Sequence, residues 1–278
     1  MEITIPSRHS KAIHPTFVFK EAWGICRKNL NKLGVIYLIF NLPIAVIYLT
    51  PMANKLQNQK ASLPEAICIL LPVLLLSSWG HIALLLGAKK AADPEDYSVG
   101  QSISQAKPFF LNYLGTVLIS TLFLTGIMML GGISITVILA LLFKVNKMLA
   151  VSICLVVAIA AIMPFIYFML RWSFATTVCV LENVRPVAAL KRSLSLAMDY
   201  IHPIVGTYCL FMLVYVVCLI LIIIAGVFLG AGSDAGHSNW LGAVFSIFIN
   251  IVLMPFWTII TVILYKKLKE ALETHVYA

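Results

Sequence analysis

Met163-Pro164-Phe165 returns 91 positions later as Met254-Pro255-Phe256, and both copies lie inside long apolar runs. Two other landmarks keep the same spacing, Gly115-Thr116 with Gly206-Thr207 and Leu181-Glu182 with Leu272-Glu273. Three landmarks at one separation indicate a duplicated unit. Because the runs around them are long enough to cross a bilayer, the sequence predicts a polytopic membrane protein built from repeats.

The composition excludes an ordinary soluble domain. Of the 278 residues, 61% are apolar and 11% are charged, and the mean hydropathy is +0.99. So few charges cannot cover that much apolar surface in water, so lipid must form part of the solvent. The six cysteines show no zinc-type spacing, and we interpret them as small buried hydrophobes. Residues 1–32 are polar and basic, and we expect no signal peptide there.

Six apolar runs are candidates for membrane-spanning helices, which need ~20 residues to cross the hydrocarbon core. The runs are 33–51, 64–88, 113–143, 148–170, 203–231 and 240–265. The sequence therefore predicts an all-α integral membrane protein with six transmembrane helices.

Lysine and arginine are distributed unevenly between the connections of these spans. Sixteen lie in the N-terminal segment, after the second and fourth spans and in the tail, whereas the other connections hold four. Because positive residues stay on the cytoplasmic side, both termini are expected in the cytoplasm. Most of the formal charge of +9 is then a topology signal. We expect no nucleic-acid partner, because the chain has no soluble basic domain.

Weaker matches extend the duplication to a first copy, with Pro72 matching Pro164 at a spacing of 92. We interpret residues 1–278 as a single membrane domain of three tandem repeats, near 15–96, 97–183 and 184–273. Each repeat has two spans, so the three share one topology and are expected to be related by an axis along the membrane normal.

Each repeat is predicted to begin with a cytoplasmic amphipathic helix of some fifteen residues, followed by a membrane hairpin. Helical spacing predicts an apolar stripe at Val187, Leu190, Leu194, Met198 and Ile201 in the third repeat, and at Phe19, Trp23, Cys26, Leu30 and Leu33 in the first. In the second repeat, Ser98 and Gln101 fit a capping box, and Pro108 should end the helix early. Such helices are either plain elbows between hairpins or elements that lie in the headgroup layer.

The stretch after the fourth span resembles a known family. Arg171-Trp172-Ser173-Phe174-Ala175 leads through Leu181-Glu182-Asn183 to Ala189-Leu190-Lys191-Arg192-Ser193, and Tyr265-Lys266-Lys267-Leu268-Lys269 follows the sixth span. These motifs are similar to those of the membrane-domain family named for glycerophosphoryl diester phosphodiesterases, and of uncharacterised bacterial six-helix inner-membrane proteins like it. The resemblance covers nearly the whole chain and implies that fold and a bacterial inner-membrane location. It implies no reaction, since the family's phosphodiesterase chemistry resides in a separate soluble domain.

Charged residues at the end of the fourth span form the candidate headgroup or partner patch. Arg171 and Glu182 are eleven residues apart, about three helical turns, and would share one face if the helix continued. Three turns are too far for a direct ion pair, so we expect Glu182 to pair with Arg185, Lys191 or Arg192. Arg171 would meet the headgroup layer or a carbonyl. The alternatives are a purely structural ion-pair network and coupling to an ion or solute.

Pro72, Pro164 and Pro255 are candidate helix kinks, because each lies in the second helix of its hairpin and removes one backbone hydrogen bond. A kink of this kind is either a hinge beside a binding hollow or a fixed bend that helps the helices pack.

No catalytic, cofactor-binding or metal-binding residue can be assigned, because the serine-hydrolase, zinc-protease and phosphate-loop motifs are absent from the sequence. No cofactor is expected. The sequence therefore favours a non-enzymatic structural or accessory protein of the bacterial inner membrane, whose cytoplasmic helices engage anionic phospholipid headgroups or a membrane protein partner. The alternative is a transporter or channel-like protein with a path between the repeats, although the spans contain few charges. A lipid enzyme would need an acid–base pair or a metal cluster, which the sequence lacks.

Overall fold

The computed structural model describes residues 13–48, 62–93, 96–142, 147–198, 200–230 and 238–276. Within these ranges the regular structure is helical and contains no strand. The α-helices are α1 Pro15–Tyr48, α2 Leu63–Ala92, α3 Val99–Gln105, α4 Phe110–Leu142, α5 Lys147–Arg171, α6 Ala175–Glu182, α7 Pro186–Met198, α8 Ile201–Gly230 and α9 Ser238–Val276. A 3₁₀ turn, Lys107–Phe109, joins α3 to α4.

Among the described residues, five helical segments are long and apolar enough to cross a membrane, which confirms the all-α class and supports the membrane assignment. They are Leu63–Ala92, Val99–Leu141, Lys147–Glu182, Ile201–Leu221 and Ile249–Thr274. The predicted first span, 33–51, extends past residue 48, so its last part lies outside the described residues. The number six therefore stays a prediction.

The starts of the first two predicted repeats differ from the expected pattern of one separate amphipathic helix. The third repeat has such a helix in α7, whereas α1 is continuous from Pro15 to Tyr48. No proline interrupts α1 before Pro43, so the amphipathic segment runs directly into the apolar one. In the second repeat α3 is short because Pro108 follows it in the 3₁₀ turn. The predicted capping box is confirmed there, since the backbone N–H of Gln101 donates to Ser98 Oγ at 3.2 Å.

The chain divides into two compact units. The first contains Met1–Phe110 with His202–Ala278, and the second contains Leu111–Ile201. Their limits differ from those of the predicted repeats. The single membrane domain stays a prediction, because this division does not decide whether the two units share one bundle.

The core of the first compact unit forms where α1, α2 and α9 pack against one another. Its largest fully buried side chains lie just past the middle of α1, in the second half of α2 and from the middle of α9 onward, namely Leu33, Ile36, Ile82, Leu85, Phe256, Ile259, Ile260, Leu264 and Leu268. Gly80 permits the close approach of α2 to α1, because a Cβ added there would lie 2.7 Å from Phe40 Cβ. Outside this region α2 presents exposed leucines, which lipid would cover.

Ion pairs join the ends of helices in the first compact unit. Lys266 Nζ lies 2.6 Å from Asp93 Oδ1, and Lys267 Nζ lies 3.0 Å from Glu21 Oε2. The predicted tail therefore continues α9 as helix, and its lysines tie it to α1 and to the end of α2.

The second compact unit has little interior. Within Lys147–Glu182, only 6% of the 18-residue apolar stretch that could cross the membrane is buried inside the protein, whereas the corresponding share in Ile249–Thr274 is 61%. Its helices α4 and α5 approach closely at Gly131, where an added Cβ would meet Ala161 Cβ at 2.6 Å. The packed region of this unit lies at the other end of α5, where α6 and α7 meet.

Candidate headgroup-binding patch

The helix that carries Arg171 does not continue to Glu182. It ends at Arg171, and a turn at residues 172–174 leads into α6. The Phe174 side chain is fully buried, and Ser173 Oγ donates to the Leu170 carbonyl at 2.7 Å, so both residues hold the turn. The condition under which Arg171 and Glu182 would share one helix face therefore fails.

A turn after α6 places α7 against the end of α5. Asn183 adopts the left-handed conformation with φ 52°, which ends α6, and Pro186 begins α7. The Ser193 hydroxyl, fully buried in α7, donates to the carbonyl of Arg171 at 2.6 Å. One of the carbonyls that α5 leaves unpaired at its C-terminus is thereby satisfied, and α7 is fixed beside Arg171.

The Arg171 side chain is only partly satisfied. Its guanidinium lies 4.3 Å from the centre of the Tyr167 ring, a cation–π contact. Its Nε is buried and has no hydrogen-bond partner among the described residues. A buried guanidinium N–H without an acceptor is costly, so this atom suits an anionic oxygen supplied from outside the chain.

Glu182 lies beside Arg192, which is one of its three predicted basic partners. Arg192 Nε is 3.7 Å from Glu182 Oε2, and the two side chains are 36% and 18% exposed. A pair at this distance and exposure contributes about 0–1 kcal/mol. Arg185 and Lys191 are exposed, and neither forms an ion pair with a described residue.

The predicted apolar stripe of α7 is wrong in part. Leu190 is buried, but Val187 and Met198 are each 55% exposed. The buried face consists instead of Ala189, Leu190, Ser193, Leu196 and Ala197. Small residues replace the expected large ones because α7 lies close to its neighbours. The exposed face of α7 then carries Val187, Lys191 and Met198, which is typical of a helix in the headgroup layer.

The same difference occurs in α1. Of its predicted stripe, Cys26 and Leu33 are buried, whereas Trp23 is 49% exposed. Val18 and Ala22 are fully buried in its place. Burial raises the pKa of the Cys26 thiol to about 11.

The three candidate kink prolines lie inside α2, α5 and α9. Pro72 is exposed, Pro164 is half-buried and Pro255 is buried. Their surroundings therefore differ although their places in the repeats correspond. Whether they act as hinges stays a prediction.

Comparison with protein-family models, with curated proteins and with solved structures gives no match. The resemblance to the phosphodiesterase membrane-domain family therefore rests on the short motifs quoted above and stays a prediction. Among the described residues, no group of three or more His, Cys, Asp or Glu side chains could hold a metal ion.

Sequence reasoning missed the two residues that build this site. Ser193 holds α7 against Arg171, and Asn183 turns the chain between α6 and α7. Asn183 had a usable signal, since an asparagine shortly before a proline commonly ends a helix. Ser193 had none, because its bonding partner is a backbone carbonyl 22 residues away.

Proposed function

We propose that this chain is a non-enzymatic, multi-pass protein of the bacterial inner membrane that binds anionic phospholipid headgroups through a cytoplasmic patch. The patch consists of Arg171, Arg185 and Lys191, with Glu182 and Arg192 as its paired border. Both termini lie in the cytoplasm in this proposal, on the same side as the patch.

The unpartnered Nε of Arg171 is the observation that carries this proposal. A phosphate oxygen would accept from it, and charge-assisted bonds of this kind are about twice as strong as neutral ones. Arg185, directly before α7, and Lys191, within α7, add two exposed positive charges. Glu182 offsets one of the positive charges, and its ion pair is with Arg192. Val187 and Met198 give Lys191 apolar neighbours that suit the layer just below the headgroups.

We also propose the architecture of six spans in three repeats, and two equivalent contacts support it. A Cβ added at Gly115 would lie 2.9 Å from Pro186 Cγ, and one added at Gly206 would lie 2.7 Å from Pro15 Cγ. The glycines are 91 positions apart, and each touches the first residue of α7 or α1. The amphipathic segment of one repeat thus rests on the hairpin of another.

Hydrogen bonds repeat with the same spacing. Thr116 Oγ1 donates to the Asn112 carbonyl at 2.8 Å, and Thr207 Oγ1 donates to the Pro203 carbonyl at 2.7 Å. Both threonines are fully buried. The two hairpins thus bury the same polar side chain at corresponding positions, which supports the repeat, whereas the bond itself is common to helical threonines.

The test neutralises Arg185 and Lys191 together, as Arg185→Gln with Lys191→Gln. Arg192 is left in place, because its removal would leave Glu182 without its partner. Each basic residue near an anionic surface contributes about 1 kcal/mol, so the double variant should bind phosphatidylglycerol about 30-fold more weakly. Binding is measured by native mass spectrometry of the detergent-purified protein titrated with phosphatidylglycerol or phosphatidylcholine.

The matched control is Lys28→Gln with Lys107→Gln, which removes two exposed charges from the first compact unit. We expect wild type and control to prefer phosphatidylglycerol and the patch variant to lose that preference. An unchanged preference in the patch variant would overturn the proposal, and flux assays of the transporter alternative would then come first.

A further inference from the structure

The first compact unit contains a cleft that shares no residue with the patch. The cleft opens between the start of α1 and helices α8 and α9 and has a volume of about 460 Å³. Its walls are almost entirely apolar and include Phe19, Trp23, Leu210, Val214 and Phe256. This volume falls within the range of roughly 300–1,000 Å³ that is usual for sites of small ligands.

Aromatic side chains form one wall of the cleft. The rings of Phe19 and Trp23 meet the ring of Phe256 edge to face, with centres 4.8 and 5.5 Å apart. Trp23 nevertheless remains 49% exposed. Tryptophan favours the boundary between headgroups and acyl chains, so its position on an open cleft marks that depth.

Among the described residues that line the cleft, Lys20 alone is charged. It is exposed and forms no ion pair with any described residue. Its acidic neighbour Glu21 points to Lys267, whose Nζ lies 3.0 Å from Glu21 Oε2, so it leaves the charge of Lys20 uncompensated.

We infer that this cleft binds one anionic phospholipid, with an acyl chain along its apolar wall and the headgroup at Lys20. The apolar walls suit an acyl chain, and the ammonium group of Lys20 beside them suits the negative charge of a headgroup. The inference shares its ligand class with the proposed function but uses none of the patch residues.

The predicted repeat places a second lysine at the position that corresponds to Lys20. Lys20 lies five positions after Pro15, and Lys191 lies five positions after Pro186. Both prolines contact the corresponding glycine of a hairpin. The two lysines therefore occupy equivalent places at the start of α1 and α7, one above a cleft and the other on the patch.

The charge is tested with Lys20→Gln, and Lys28→Gln is the control because Lys28 is also exposed on α1 and does not line the cleft. Native mass spectrometry with added phosphatidylglycerol should show about fivefold weaker binding of one lipid in Lys20→Gln, the factor that corresponds to about 1 kcal/mol. Lys28→Gln should match wild type. Equal binding by the two variants would overturn the inference.

The cleft itself is tested with Val214→Trp, which fills it. Leu213→Trp is the control, since Leu213 is the next residue along α8 and is 64% exposed. Val214→Trp should lose the lipid that Lys20→Gln weakens, and Leu213→Trp should retain it. Retention of that lipid by Val214→Trp would contradict the inference, as would a dimer mass in place of a lipid adduct. Because Lys20 is exposed, the charge test holds even where Val214→Trp fails to fold.

The patch variant, Arg185→Gln with Lys191→Gln, is measured in the same series. Lipid loss in the patch variant alone would refute the cleft and leave the proposed function standing. Lipid loss in Lys20→Gln alone would support the cleft and overturn the proposed headgroup binding by the patch.

Discussion

Replacing Gly115 by alanine tests how closely α7 rests on α4. The added Cβ would lie 2.9 Å from Pro186 Cγ, whereas an ordinary contact is 3.4–4 Å. The neighbour is a ring atom at the start of a helix and cannot rotate away. We therefore expect Gly115→Ala to strain the contact between α4 and α7.

Gly126 in the same helix provides the control. A Cβ at Gly126 meets nothing within 4 Å, so Gly126→Ala should only gain helix propensity, up to about 1 kcal/mol. That gain is common to both variants and cancels in their difference. The difference in the free energy of unfolding between the two variants is then the cost of overpacking. We expect Gly115→Ala to be less stable than Gly126→Ala by about 1–3 kcal/mol.

The assay is thermal unfolding of the purified protein in one detergent. Each kcal/mol shifts the Tm by roughly 2–4 °C for a chain of this size. Pro186→Ala removes the opposing ring atom, so adding it to Gly115→Ala should recover part of the loss, with a coupling of at least about 0.5 kcal/mol. Equal Tm values for Gly115→Ala and Gly126→Ala would refute the packing argument, as would strict additivity in the double variant.

Three further predictions concern single side chains. Because burial raises the pKa of the Cys26 thiol from 9.0 to about 11, its thiolate fraction at pH 8 should be about 100-fold lower than in the unfolded chain. Labelling with N-ethylmaleimide, followed by peptide mass spectrometry, should find Cys26 modified slowly in detergent and rapidly in SDS; equal rates would contradict its burial. Trp79→Phe removes the bond from Trp79 Nε1 to the Ile103 carbonyl, 3.2 Å long, and should lower the free energy of unfolding by about 0.5–1.5 kcal/mol. Ser193→Ala removes the hydroxyl that binds the Arg171 carbonyl and should lower it by a similar amount, and an unchanged Tm in either variant would show that its bond contributes nothing.

The sequence predicts the existence of the helices well, because an apolar run of bilayer length leaves few alternatives to a helix. It predicts their junctions less well. The continuous α1 and the break after Arg171 both depend on local details, namely the lack of a proline before Pro43 and the burial of Phe174. Neither detail changes the hydrophobic period on which the prediction rests.

The buried faces of α1 and α7 could not be predicted from large apolar residues. Ala22 and Ser193 are fully buried, whereas Trp23 and Val187 are exposed. Helices that approach closely bury small residues, and lipid accepts the large ones on the outer face. Periodicity alone cannot tell a surface covered by protein from one covered by lipid.

The candidate patch could likewise be predicted only in part from the sequence. Its residue types are evident from the sequence, because Arg171, Arg185 and Lys191 follow a long apolar run. The burial of the Arg171 Nε and the placement of α7 beside Arg171 become visible only in the folded chain. Such long-range consequences of a turn do not appear in a local pattern.

The most direct test of headgroup binding is the amount of each phospholipid that co-purifies with the chain from its own membrane, measured by quantitative mass spectrometry. If the patch binds headgroups, anionic lipid is enriched over the bulk membrane in wild type and in Lys28→Gln with Lys107→Gln. The enrichment should then fall in Arg185→Gln with Lys191→Gln. Bound lipid that mirrors the bulk membrane in all three proteins would contradict headgroup binding by the patch.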